Sequence, residues 1–279
     1  MSLSTMDADY LRGVVMRNSG NHVDPARDYL FESRLQQLMR QSGMQSLEQL
    51  VSALRRDAGS GLQGSGLQRS VAEAMTINET SFFRDTPTFD LLREELLPKM
   101  IAARRETRTL RIWSAASASG QEAYSLAMLL REHFPALANW KIDILGTDLS
   151  AEMVRRSSAG RYQRLEINRG LPARFLLKYM VRTGDEWEAE PNIKGICRFQ
   201  QRNLCDAQPM WERFDFIFLR NVMIYFPLDT RHKVLLGMHR ALAADGALFL
   251  GMSEQPRMDT HWETVLTPKA VWYRPLSRS

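Results

Sequence analysis

Apolar residues recur at helical spacing through the first third of the chain. Leu30, Leu35, Leu38 and Met39 make one stripe, and Leu47, Leu50, Val51 and Leu54 make a second. This spacing predicts helices over residues 7–57. It stops at Ala58-Gly-Ser-Gly-Leu-Gln-Gly-Ser-Gly66, where glycine and serine predict a flexible loop inside a helical domain. A further helix is expected from Leu67 to Met75. Another runs from Phe89 to Arg105, with Leu91, Leu92, Leu96 and Leu97 as its buried stripe and Pro98 as a point of interruption.

The pattern then changes to short apolar runs, each followed by a helix. Leu110-Arg-Ile-Trp-Ser114 predicts a strand, and Gln121 to Phe134 the helix behind it. Lys141-Ile-Asp-Ile-Leu-Gly-Thr-Asp148 predicts the next strand, with Ser150 as the cap of its helix. Phe214-Asp-Phe-Ile-Phe-Leu219, a helix over 228–242, and Gly246-Ala-Leu-Phe-Leu-Gly251 continue the series. Strand, turn and helix in repetition predict an α/β domain, a parallel sheet covered by helices on both faces. Residues from about 177 to 200 break the rhythm. Their short alternating pieces around Gly184-Asp185 and Pro191-Asn192 predict a small antiparallel insertion.

The length of 279 residues suits a small domain joined to a larger one. The expected division is a helical domain and linker over 1–88, then a sheet domain over 89–279. No apolar run approaches the ~20 residues that a membrane span needs, and Met1 to Tyr10 lack the apolar core of a secretory leader. The two cysteines, Cys197 and Cys205, suit a reducing cytoplasm and are too few for a disulfide framework or a zinc cluster. The net charge is +5. Its densest part, Arg104, Arg105, Arg108 and Arg111, is not interleaved with aromatics, so a solvated helix end accounts for it better than a nucleic-acid surface.

Four places can carry chemistry. Ser114-Ala-Ala-Ser-Ala-Ser-Gly-Gln-Glu122 follows a strand and opens a helix, so a ligand could approach its backbone. A plain tight turn explains it nearly as well. Asp148 closes the second strand, where doubly wound folds place an acid that accepts bonds from ribose hydroxyls. The pair Arg220-Asn221 stands at the end of a buried strand, with Tyr225 close behind. Thr76-Ile-Asn-Glu-Thr-Ser-Phe-Phe-Arg-Asp85 offers Asn78, Thr80 and Arg84 for polar ligand groups, and reads equally as a capping turn. The five histidines show no metal-ligand spacing, and no metal is expected.

These residues resemble one family, the chemotaxis receptor methyltransferases called CheR. The resemblance runs from about residue 10 to about 275. It rests on Thr76–Arg84, on Arg111–Ser125, on Gly146-Thr-Asp-Leu-Ser150, on Phe214–Phe226 and on Phe249-Leu-Gly-Met-Ser-Glu254. It implies a class I methyltransferase, or Rossmann-like, sheet with an N-terminal all-helical domain. It also implies S-adenosyl-L-methionine as cofactor, S-adenosyl-L-homocysteine as product, and methyl transfer to glutamates in the cytoplasmic domain of chemotaxis receptors. By similarity Asn78, Thr80, Arg84, Ala115, Glu122, Asp148, Asn203, Leu204, Arg220 and Asn221 line the cofactor. Arg84 and Tyr225 are the candidates for the catalytic step. The chain departs from the family at Gln121-Glu122-Ala123, where two acidic residues and a proline are usual. A cytoplasmic monomer without nucleic-acid or membrane-inserted partners is expected. The alternatives are a class I methyltransferase with another substrate and a regulatory module that binds the cofactor without turnover.

Overall fold

The computed structural model describes residues 3–58, 66–206, 212–258 and 260–276. The interior of the glycine- and serine-rich stretch lies outside the described residues. The chain divides into two compact units, Met1–Ile77 with Tyr225–Arg231, and Asn78–Ile224 with His232–Ser279.

The first unit holds α1 (Thr5–Ser19), α2 (Tyr29–Gln41), α3 (Leu47–Ala58) and α4 (Gly66–Ala74). The second stripe read from the sequence is buried whole, whereas of the first only Leu35 is buried and Leu30, Leu38 and Met39 are partly buried beside it. Leu11, Val14, Val15, Phe31, Leu35, Leu50, Leu54 and Val71 form one core. Ser4 caps α1 by accepting the Asp7 N–H, and Gly20 ends it in the left-handed region at φ 76°.

The second unit opens with α5 (Thr86–Leu91), a π-helical turn over Leu92–Leu96, and α6 (Leu97–Ala103). The expected interruption at Pro98 takes this form. Proline crowds the carbonyl one turn back, and a wider turn just before it relieves the clash. The chain continues through β1 (Thr109–Ala115), α7 (Gln121–His133), β2 (Lys141–Asp148), α8 (Ala151–Ala159) and β3 (Arg161–Gln163). Next come α9 (Arg164–Asn168), α10 (Ala173–Tyr179), β4 (Met180–Thr183), β5 (Glu186–Ala189), α11 (Pro191–Lys194) and β6 (Cys197–Gln201). It ends with β7 (Phe214–Leu219), α12 (Leu228–Ala241, whose first four residues are counted with the first unit), β8 (Leu242–Leu250), β9 (Trp262–Leu266) and β10 (Val271–Pro275).

Seven strands make the main sheet, in the order β6-β2-β1-β7-β8-β10-β9. The pairs β6–β2, β2–β1, β1–β7 and β7–β8 are parallel, and β10 is antiparallel to both of its neighbours. β7 is buried along its whole length, as a strand covered on both faces must be. Three expectations need correction. Cys197–Gln201 belongs to the main sheet as its parallel edge, not to the insertion, because it pairs with β2 from Ile144 to Asp148. The insertion begins earlier, since β3 joins β5 and β4 in a separate antiparallel sheet. Residues 78–88, counted with the helical domain from the sequence, lie in the second unit. Phe82 and Phe83 are buried in its core among Tyr162, Phe175 and Phe89, worth about 2 kcal/mol apiece in burial.

Arg104 is not a solvated helix end. Its guanidinium donates to buried Asp215 at 2.8 Å and to both oxygens of Asp245 at 2.8 and 2.6 Å. Burial pushes the Asp215 carboxyl up, while the Arg104 guanidinium and the Arg111 N–H hold its charged form. The network ties α6 to β1, β7 and β8 at the strand ends remote from Asp148. Arg104→Ala would strand the Asp215 carboxylate in a site built for its ion pair. It should lower unfolding stability by about 3 kcal/mol, read from the midpoint of urea denaturation at pH 7.

Candidate active site

Three neighbouring strands deliver the site. β1, β2 and β7 run parallel, so Ala115, Asp148 and Leu219 all arrive at one end of the sheet, with Ala115 facing both Thr147 and Leu219 in register. Ligands of open parallel sheets bind at such carboxyl ends.

Asp148 is buried there and works on backbone. One carboxylate oxygen accepts the Ala118 N–H and the other the Ser150 N–H, each at 2.9 Å. A charged carboxylate at the end of a strand is an acceptor suited to hydroxyl groups as well as to these N–H groups. The turn it holds is contorted. Ala116 and Ala118 sit at φ 60° and 46°, and Gly120 at 92°. Non-glycine residues avoid this region, and neighbours must hold them in it. They are held by the Asp148 bond, by Ser117 N–H donating to Thr147 O at 2.8 Å, and by the Tyr162 hydroxyl donating to Ser119 O at 2.8 Å. Glycine is required at Gly146, where a Cβ would lie 2.4 Å from the Phe199 ring.

Glu122 stands in the first turn of α7. One oxygen accepts from the Ser114 hydroxyl at 2.7 Å, and the other from Arg220 at 2.9 Å. Arg220 is buried, and its other terminal nitrogen donates to Arg84 O at 2.8 Å and to Asp85. The sequence placed Arg220 on the cofactor. In the structure both terminal nitrogens of its guanidinium are committed to protein, and only the buried Nε has no bond. Asp85 was quoted in its motif but not recognised as a site residue. It flanks Arg84 on one side at φ 59°, with Phe83 on the other at φ 48°.

Asn221 is itself left-handed at φ 58°. Its N–H donates to Glu254 at 2.8 Å, and the same oxygen accepts the Gly251 N–H at 2.7 Å. Glu254 therefore sets the exit of β7, a role the sequence did not assign. Asn203 and Leu204 follow β6, next to Arg202, whose N–H donates to Asp148 O at 2.8 Å. Asn203 folds back to accept the Cys205 N–H at 3.0 Å. Asn78 and Thr80 are half-buried at the start of the second unit. Arg84 is half-buried too. Among the described residues its guanidinium meets a backbone carbonyl, Glu79 O at 3.4 Å, and no carboxylate. Tyr225 falls in the first unit, where its carbonyl accepts the His22 N–H at 2.8 Å. Burial pushes the Cys197 thiol well up, as befits an unreactive cysteine. No cluster of metal-binding side chains occurs among the described residues.

The residues fit an adenosine-bearing ligand: a buried carboxylate at a strand end, small side chains in a fixed turn, and polar groups on the adjoining strand ends. With a sheet whose antiparallel strand lies next to its edge, they define a class I methyltransferase dependent on S-adenosylmethionine. Comparison with known proteins narrows this. Residues 78–271 match the CheR methyltransferase SAM binding domain, and residues 6–76 match the CheR methyltransferase all-alpha domain. Chemotaxis protein methyltransferase 1 of Pseudomonas aeruginosa is 37% identical over 279 residues, 98% of this chain and 99% of that protein. Chemotaxis protein methyltransferase 1 of Vibrio cholerae is 38% identical, over 82% of each. The chemotaxis protein methyltransferase of Borreliella burgdorferi is 31% identical, over 91% of this chain and 89% of that one. The chain belongs to the CheR methyltransferase family.

Asp148→Ala should abolish measurable binding of S-adenosylhomocysteine in calorimetric titration, because it removes the ligand acceptor and the anchor of the 115–120 turn together. Asp148→Asn should bind at an intermediate level, retaining one oxygen.

Proposed function

We propose that this enzyme methylates glutamate side chains in the cytoplasmic domain of chemotaxis receptors, working in the cytoplasm as a monomer. Among the described residues no helix is long and apolar enough to cross a membrane. Family membership supplies the methyltransferase activity, and one observation supports a carboxylate as acceptor. Arg84 is a half-buried cation with no anionic partner among the described residues, while Asp85, Glu122, Asp148 and Glu254 are all engaged. An acidic side chain brought to this end of the sheet meets a guanidinium free to orient it bidentately.

Bound S-adenosylmethionine supplies an activated methyl group on a sulfonium. Asp148 would hold the ribose and the 115–120 turn would border the cofactor, with Asn78, Thr80, Asn203, Leu204 and Asn221 as the other residues that would hold it. Arg84 orients the acceptor carboxylate, with Tyr225 as the second candidate at the methyl. A glutamate of ordinary pKa, about 4.3, is already ionised at pH 7, so the step needs no general base. The carboxylate oxygen gains the methyl as the sulfonium loses it, and the chain's contribution is alignment and exclusion of water. Asp85 and Arg220 are positioning residues, since they hold the Arg84 backbone and need not touch the reactants.

The test is transfer of labelled methyl from S-adenosylmethionine to purified receptor cytoplasmic fragments, with base-labile release as methanol marking an ester. Absence of transfer, with cofactor binding intact, would overturn the acceptor assignment. Arg84→Ala should reduce kcat about 100-fold with little change in cofactor affinity. Tyr225→Phe should lower kcat by about tenfold, as loss of one oriented hydrogen bond does.

A further inference from the structure

A cavity of about 910 Å3 lies in the sheet unit. It is lined by the segment from Leu250 to Arg257, by the start of α5 at Asp85 and Thr88, and by the β9–β10 hairpin at Leu266, Lys269 and Val271. It is not the cofactor region. Asp148 and the 115–120 turn stand over β1 and β2, whereas this cleft is on the β8 and β10 side of β7. The two nonetheless share a wall. Asp85 takes the bond of Arg220, and Glu254 takes the N–H groups of Asn221 and Gly251. The Gly251 backbone lies so close to Asn221 that a Cβ there would come within 2.7 Å of its side-chain nitrogen.

The cleft has a particular chemistry. Its two carboxylates, Asp85 and Glu254, are engaged by Arg220 and by backbone N–H groups. Of its two cations, Lys269 is paired with Glu94, and exposed Arg257 has no anionic partner among the described residues. Beside them Met252 is 87% exposed, Leu266 76% and Val271 40%. Apolar side chains left in water around a cation mark a recognition surface, and the sign of the charge selects an acidic partner.

We propose that this cleft receives the acceptor-bearing segment of the protein substrate. The occupant is a stretch in which apolar side chains alternate with carboxylates. Its apolar groups cover Met252, Leu266 and Val271, a flanking carboxylate meets Arg257, and the acceptor glutamate passes the shared wall toward Arg84. The inference rests on the acceptor assigned above.

The experiment uses the full chain with Arg257→Glu, Leu266→Asp and the double variant, all at exposed positions. Cofactor affinity by calorimetry and kcat at saturating receptor fragment should match the parent. KM for the fragment should rise about tenfold in each single variant and further in the double. Unchanged KM in the double variant overturns the docking assignment while leaving the methyltransferase reading intact. Loss of cofactor binding also overturns it, by assigning the cleft to the cofactor. Absence of transfer by the parent enzyme to any receptor fragment removes both.

Discussion

The buried guanidinium of Arg220 joins three parts of the sheet unit that are far apart in sequence. It arrives at the end of β7, reaches Glu122 in the first turn of α7, and takes Asp85 and the Arg84 carbonyl from the turn before α5. A buried charge is tolerated only when paired and hydrogen-bonded. Here the pairing has a geometric consequence. Satisfying Arg220 requires both carboxylates to be in place, and Asp85 can be in place only if the chain passes Arg84 with left-handed residues on either side. The orientation of the free Arg84 side chain is thus a by-product of neutralising its neighbour.

The same device recurs with backbone as the partner. Asp148 and Glu254 each accept two or more N–H groups from turns that could not hold their shape alone. Both turns contain non-glycine residues at positive φ, Ala116 and Ala118 in one and Asn221 in the other. Carboxylates are well suited to this work because a charged acceptor makes stronger bonds than a carbonyl. Strain is therefore concentrated where a ligand must approach the backbone, and buried acids fix it there before any ligand arrives.

The arrangement of charge also fits the chemistry. The carboxylates at this end of the sheet are committed to structure, while Arg84 and the rim residue Arg257 keep their positive charge without anionic partners among the described residues. A site that must accept an ionised side chain and let it react needs this imbalance. It should orient the carboxylate without surrounding it so fully that the nucleophile is quenched.

Much of this was legible in the chain itself. Helical periodicity marked α2 and α3, and continuous apolar runs marked β1, β2, β7 and β8, because burial on one stripe or on both faces leaves a direct trace in residue type. Asp148 and Asn221 stood out as polar residues at the ends of such runs, whereas Glu122 came to notice only through the family resemblance. What only the tertiary structure decided is pairing. Cys197–Gln201 reads like part of an insertion until its hydrogen bonds to β2 are seen, and Trp262–Leu266 and Val271–Pro275 are too short to announce themselves. Arg220 looks like a ligand contact until Asp85, 135 residues away, is found on its guanidinium. Local pattern records which residues leave water. It does not record which distant charge they meet, and at this site that meeting sets the geometry.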